Sequence, residues 1–406
     1  MIWDLITIGG GAAGFFAAIA HAENGGGSTL ILERTSSPLA KVKISGGGRC
    51  NVTHDCLEPS ELCKHYPRGE KSLMGAWHRF GVEDTIDWFA SRGVELKTEA
   101  DGRIFPITDR SQTIIDCLIQ AAEAAGVETR TRCAARSIRA GKVFEIETDR
   151  GEVLASRKVL LATGGTRLAA GARLAEQLGH TLEPALPSLF TFEIEDPRFK
   201  NLPGLAVART ECRILGTRLR STGPVLITHR GVSGPGILRL SAWGARELAA
   251  LDYRFELQVN WLPGVDVLAR LKTFREELAT RQIEPRSPFA EIPKRLWARL
   301  VQAAGIPPEQ TWAHLTKAER AALDAQLTTG RYGVDGKSLN KEEFVTCGGV
   351  RLKEIDLRTM QSKCCSGLYF AGEIMDIDGI TGGFNFQNAW TSGRLAGLAS
   401  VSDGDG

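Results

Sequence analysis

Two rhythms of apolar and polar positions run along this chain, and they change place more than once. The apolar run Leu5-Ile6-Thr7-Ile8 predicts a buried strand, and Phe15 to Ala22 a helix of small and apolar residues. Ser28 to Leu32 predicts a second strand, closed by Glu33. Ser111 to Ala125 sets Ile114, Ile115, Leu118 and Ile119 on or near one helical face, with Asp109 or Ser111 as the cap. Val127 to Ile138 reads as a bent strand, and Val143–Thr148 with Glu152–Leu154 as a hairpin. Val159-Leu160-Leu161 is a further buried strand that ends in Ala162-Thr163-Gly164-Gly165.

Past Pro184 and Pro187 the rhythm shortens. Phe190–Ile194, Ala206–Ala208, Val225–Thr228 and Phe255–Val259 alternate as antiparallel strands do. From Asp266 to Leu327 the period becomes helical, with stripes at Val267, Leu268, Leu271, Phe274, then Leu296, Trp297, Leu300, Val301, then Leu315, Leu323, Leu327. Strand patterns return at Val345–Val350 and Gly367–Phe370, and a helix is predicted over Gln387–Leu398. The expected division is a first domain over 1–188, an inserted β domain over 189–264, a helical cap over 265–330 and a return to the first domain over 331–406, with a frayed tail from Ser402.

Chemistry enters with the glycines. Gly9-x-Gly11-x-x-Gly14 joins the first strand to the first helix, and Glu33 follows about twenty positions later, the dinucleotide fingerprint. Gly9 makes the tight turn, Gly11 leaves room for a pyrophosphate, and Gly14 lets helix and strand approach. The helix start, Ala12 and Ala13, offers free amides to the phosphates. Glu33 is placed to accept from ribose hydroxyls and would repel a 2′-phosphate. A second glycine-rich stretch, Ser45-Gly46-Gly47-Gly48-Arg49-Cys50-Asn51, fits neither helix nor strand interior. It suits a loop whose backbone lies against a flat or charged ligand. Arg49 can meet a phosphate or a ring edge, and Asn51 can both donate and accept.

Composition narrows the setting. The 406 residues are 43% hydrophobic and 24% charged, an ordinary globular balance. No apolar stretch is long enough to span a bilayer, and no leader precedes the first strand, so a cytoplasmic protein is expected. The nine cysteines form no CxxC pair, so no metal site is expected. Charge is uneven: Thr191 to Val345 holds 23 Lys and Arg against 18 Asp and Glu, inside a chain of net charge +2. Such asymmetry can mark a nucleic-acid face, and Arg209, Arg213, Arg218, Arg220, Arg230 and Arg239 are dense enough to line one surface. A mixed, solvated surface is the bland alternative.

The run SGGGRCNVT, from Ser45 to Thr53, and the run GLYFAGEIMDIDGITGGFNFQNAW, from Gly367 to Trp390, resemble the BaiN/RdsA (HI0933-like) family of FAD-dependent oxidoreductases. The resemblance covers nearly the whole chain; His54 departs from it, standing where the family usually has Asn. It implies an α/β fold: a glutathione-reductase-type FAD-binding Rossmann domain with an inserted antiparallel β domain and a small helical cap. It also implies flavin contacts from Arg34, Lys41, Ser45 and the Gly46–Asn51 loop, with the backbone near Ala135 touching adenine. Thr163, Gly164 and Gly165 would pass beneath the cofactor. Gly372 and Glu373 would meet the ribityl chain. Gly383, Asn385, Gln387 and Asn388 would surround the start of the last helix, whose amides would favour reduced, anionic flavin.

One fingerprint without a second implies non-covalent FAD, with NAD(P)H only a transient reductant. Hydride transfer from flavin N5 to an activated C=C bond fits this design, and Cys50 is a candidate proton donor, or else a small packing residue. Three readings follow, the first two implied by the resemblance and the third from another class of protein. They are dihydrouridine formation in large-subunit ribosomal RNA or a pre-ribosomal particle; reduction of unsaturated steroid-type molecules or oxidation of amines such as aminoacetone; and a flavin-binding redox sensor without turnover.

Overall fold

The computed structural model describes residues 1–166, 170–338 and 345–401; the predicted tail from Ser402 lies outside them. The chain divides into two compact units, Met1–Pro187 with Val345–Gly406, and Ser188–Phe344.

The first unit is built on a nine-stranded sheet. Its parallel centre runs Leu368–Phe370, Val153–Leu161, Ile2–Ile8, Thr29–Leu32, Glu128–Arg130. Leu5, Ile6, Leu30, Ile31, Val159 and Leu161 are all buried, as expected of parallel strands covered on both faces. Val153–Leu161 is one long strand. The hairpin of Ala135–Arg139 and Phe144–Thr148 pairs with its first half, and Leu368–Phe370 with its second. The predicted Glu152–Leu154 piece is therefore the start of the Val159–Leu161 strand.

Two helices pack across this sheet with their backbones almost touching: Ala12–Glu23 and Phe384–Ala399. A Cβ on Gly393 would stand 2.6 Å from Ala13 O, and one on Gly397 2.3 Å from Ala17 O. The smallness of Ala13, Ala17 and Ala20 on one helix matches the glycines on the other. Beside this contact Phe16 meets Trp390 of the last helix, and also Trp88 and Phe80, with centroids 5.2, 4.4 and 5.7 Å away.

The second unit is a seven-stranded antiparallel sheet with helices on one face. Its order is Gly330–Val334, Phe255–Asn260, Ala206–Ile214, Arg220–Thr228, Gly231–Ser233, Thr191–Glu193, Gly336–Ser338. This corrects two expected boundaries. Gly330–Val334 pairs with Phe255–Asn260, and Gly336–Ser338 with Thr191–Glu193, so the insert runs on past 330. The helices Val267–Glu277, Lys294–Ala303 and Lys317–Thr328 are not a separate cap. Leu271, Trp297, Leu300, Leu323 and Leu327 share one core with Cys212, Ile214, Leu257 and Val259 of the sheet. The glycine-rich stretch after His229 forms the short strand Gly231–Ser233 and then the helix Pro235–Trp243.

The helix contact predicts that Gly397→Val destabilises the protein. Overpacking of this kind costs roughly 1–3 kcal/mol, to be read as a lower apparent Tm; an unchanged Tm would contradict the close approach.

Candidate functional site

Gly9 leaves the first strand at φ 113°, and a Cβ there would lie 2.3 Å from Ala162 O. The strand ending in Ala162-Thr163 therefore passes directly against the turn. Gly14 closes the turn from the other side, where a Cβ would meet Gly9 O at 2.0 Å. Gly11 is different: no atom lies within 4 Å of a Cβ built on it. No side chain caps this helix, and its first turn carries no acid. Unpaired amides, a positive dipole end and open space together make an anion site. Ala12 and Ala13 form its first turn.

Glu33 is tied to this turn. Its Oε2 accepts from Gly10 N–H at 2.8 Å, and its Oε1 from Thr35 N–H and Oγ at 2.7 Å. The backbone of 130–133 runs alongside: Glu33 N–H donates to Arg130 O and Cys133 N–H to Glu33 O, each at 2.9 Å. Ala135, two residues on, thus starts its strand beside the acid. Arg34 is exposed.

A second group gathers on the strand Leu368–Phe370 and its sequel. Lys41 Nζ stands 2.5 Å from Glu373 Oε2, and Glu373 Oε1 accepts Thr346 N–H at 2.8 Å. A Cβ on Gly165 would meet Thr346 Oγ at 2.2 Å and Glu373 Oε1 at 2.8 Å, while Gly164 lies 4.0 Å from Lys41 Nζ by the same measure. Gly372 N–H donates to Ser392 Oγ at 2.9 Å, and a Cβ built on Gly372 would lie 3.0 Å from Ala13 Cβ. Segments 41, 163–165 and 372–373 therefore converge on the start of the first helix.

The triple-glycine stretch is a broken helical turn. Ala40–Gly48 is interrupted at Ser45 (ψ 150°), with Gly46 and Gly47 left-handed. Ser45 Oγ donates to Val42 O at 2.9 Å. Nothing lies within 4 Å of a Cβ on Gly47 or Gly48, so this backbone is open to a ligand. The residues after it turn elsewhere. Arg49 pairs with Glu99 at 2.6 Å and lies 3.9 Å over the Phe105 ring. Asn51, with its amide oriented as its neighbours require, donates to Thr53 O at 2.9 Å and accepts from Gly383 N–H at 3.0 Å. Cys50 is fully buried among Phe15, Phe16, Val42 and Val52, and burial pushes its thiol up to about 12. These are the surroundings of a packing residue, with no opening to a substrate.

The last helix repeats the features of the first. It starts after Gly383 (φ 99°), has no side-chain cap and no acid in its first turn. Asn385 spends its amide on Gly379, accepting from its N–H and donating to its O, both at 2.8 Å. Gln387 accepts from Thr53 Oγ at 2.6 Å and donates to Gly81 O and Thr85 Oγ. Asn388 is 2% exposed, yet its Oδ1 finds no partner among the described residues; Thr163 Oγ is orphaned in the same way.

The sequence marks His54 only as a departure from the family pattern, and gives no sign of what it and the other residues here touch. His54 and His65 both stack on Phe384, at 4.6 and 4.4 Å. Tyr66 Oη donates to Phe384 O at 2.6 Å, and Arg68 forms a buried ion pair with Asp378. Three hundred residues separate these partners, so no local pattern could announce them. Away from this group, His180, Glu354 and Cys364 come close enough to share an ion. Both His180 ring nitrogens are already engaged, by Glu354 at 3.1 Å and Ser362 at 2.8 Å.

A long ligand with a nucleoside at one end, a diphosphate in its middle and a flat, polar-edged ring at the other end fits this set. The uncapped first helix and open Gly11 suit the diphosphate. The open backbone of Gly47 and Gly48, the second uncapped helix and the orphaned Asn388 oxygen suit the ring. The fold is that of FAD-dependent oxidoreductases with a Rossmann-type cofactor domain.

Comparison with known proteins agrees. The family model described as the HI0933-like protein Rossmann domain matches residues 3–399, and the chain belongs to that family. It is 33% identical to a ribosomal RNA dihydrouridine synthase of Escherichia coli (strain K12), over 96% of both chains. It is 30% identical to a 3-dehydro-bile acid delta(4,6)-reductase of Clostridium scindens, over 97% of this chain and 98% of the relative. Among solved structures it resembles the 3-ketosteroid-delta4-(5alpha)-dehydrogenase of Rhodococcus jostii RHA1, with TM-score 0.54, 17% identity and coverage of 98% and 97%. Among the described residues no helix is long and apolar enough to cross a membrane.

Two outcomes check the site. Gly11→Val places a side chain in the one open position of the first turn, so flavin content on purification should collapse; a variant as yellow as wild type would remove Gly11 from the site. Cys50 should resist iodoacetamide at pH 8 in the folded protein and react only after unfolding. Rapid native alkylation would contradict its burial.

Proposed function

We propose that this protein saturates an activated C=C bond, drawing electrons from NADH or NADPH, and that its substrate is a uridine of large-subunit ribosomal RNA. The observation that carries the reading is the full-length similarity to a ribosomal RNA dihydrouridine synthase. The charge excess of Thr191–Val345 supports it.

Bound FAD supplies the hydride chemistry. The chain's own residues bind, orient and stabilise. The amides starting Ala12–Glu23 hold the diphosphate, and Glu33 holds the adenosine ribose. Lys41 and Glu373, with Thr346 behind them, position the middle of the cofactor. The amides starting Phe384–Ala399 stabilise negative charge at the ring edge, and Asn388 Oδ1 offers an acceptor there. The proton that completes the reduction does not come from Cys50, whose thiol is sealed in the core. His54 and His65, stacked on the first residue of the last helix, are side chains able to hold a proton at that position. Uracil suits this chemistry because its C=C bond is conjugated to a carbonyl. A base stacked in a duplex is out of reach, so the target is single-stranded or flipped out.

A second reading, reduction of a small unsaturated ketone, is favoured by the 30% identity to a bile acid reductase. One experiment separates the two. The FAD-loaded protein is given NADH or NADPH with ribosomal RNA from a strain lacking the gene, and dihydrouridine is measured by mass spectrometry. The proposal expects one uridine to gain two hydrogens. No change in the RNA, with turnover of a steroid enone under the same conditions, would establish the second reading instead.

A further inference from the structure

The register of the inserted sheet lines up cations that are far apart in the sequence. Arg331 lies opposite Gln258, Gln258 opposite Arg213, and Arg213 opposite Arg220. Residues directly opposite one another share a face of the sheet. The four therefore form one row across four strands, about 14 Å long at about 4.8 Å per strand. Their chain neighbours Cys212, Ile214, Leu257, Val259 and Tyr332 point into the core beneath the helices. The row lies on the opposite face, with Arg213, Arg220 and Arg331 exposed and Gln258 half-buried.

This row differs from the surface expected from arginine density. Arg230 pairs with Glu193 at 3.3 Å, and Arg239 belongs to the helix Pro235–Trp243 on the core side. Arg218 stands in the turn leading to Arg220. Arg331 was not among the expected residues at all, because only strand pairing brings it there.

The row is costly to the fold. Like charges directly opposite destabilise a strand pair, and among the described residues none of the three arginines makes an ion pair. Glu211 and Glu256 occupy the flanking rows, opposite Thr222 and Gly333, and reach none of them. A polyanion laid along the row would relieve the repulsion that the fold leaves standing. Arginine suits phosphate better than a point charge does, through its planar fork of donors. Gln258, in mid-row, can both donate and accept, as a base edge requires.

We infer that the row Arg331–Gln258–Arg213–Arg220 is a phosphate-binding track for single-stranded RNA. The inference rests on the RNA reading above and names the surface that would hold that substrate. The test uses the full-length FAD-loaded protein and a fluorescent single-stranded RNA fragment, titrated at several salt concentrations. The variant is Arg213→Gln/Arg220→Gln/Arg331→Gln. A control, Arg286→Gln/Lys294→Gln/Lys317→Gln, removes the same charge away from the row. Flavin content checks that both are folded.

The row variant should bind at least about tenfold more weakly at low salt. Its slope of log affinity against log salt should fall by about 2, three contacts at about 0.7 each. The control should keep the wild-type slope. If wild type binds RNA and the two variants weaken alike, the track is wrong while the RNA reading stands. If wild type binds no RNA, or binds only anionic vesicles, both fall.

Discussion

Two glycines on the last helix, Gly393 and Gly397, set the distance on which the cofactor half of this protein depends. Each brings that helix against a carbonyl of the first, closer than any side chain would allow. The helices Ala12–Glu23 and Phe384–Ala399 are thereby locked together across the same sheet. Gly372 then falls beside Ala13, and Ser392 catches the Gly372 amide. Glu373 is thus delivered to Lys41 and Thr346 by backbone packing. A larger residue at either glycine would move all of these at once.

Electrostatics builds on that frame. Both helices begin without a capping side chain or a first-turn acid, so their positive ends stay uncancelled. Leaving helix amides unsatisfied costs stability unless water or a ligand takes them. The loop before the last helix is held in return by strong internal bonds. Arg68 and Asp378 form a buried pair, Asn385 clasps Gly379, and Tyr66 holds Phe384. Breaking one partner of a buried pair strands a charge, at a cost of roughly 3–5 kcal/mol. Such a pair does little for net stability, but it fixes the geometry around Gly383.

Much of this was legible in the sequence because it is local. The glycine fingerprint, its acid and the broken turn at Ser45–Gly48 follow from what a backbone can do when side chains are missing. Polar residues were harder to place. Asn385 and Gln387 have the chemistry of cofactor ligands, yet every polar atom of their side chains is taken by the protein, while Asn388 beside them is left open. Cys50 stands in the right loop but turns inward at φ 63°. Only tertiary structure decides such cases. The insert shows the same limit: alternation revealed strands, but not that Gly330–Val334 would return to pair with Phe255–Asn260. That pairing moved a boundary and brought Arg331 into line with Arg213.

The central claim is that two uncapped helix starts, brought together by glycine packing, hold one FAD between them. Hydrogen–deuterium exchange on the protein with and without FAD tests it directly. The account predicts that exchange slows together at the amides of Gly11–Gly14 and of Gly383–Phe386, over the same range of FAD concentration. Slowing at the first helix alone, with the second unchanged at saturating FAD, would contradict it.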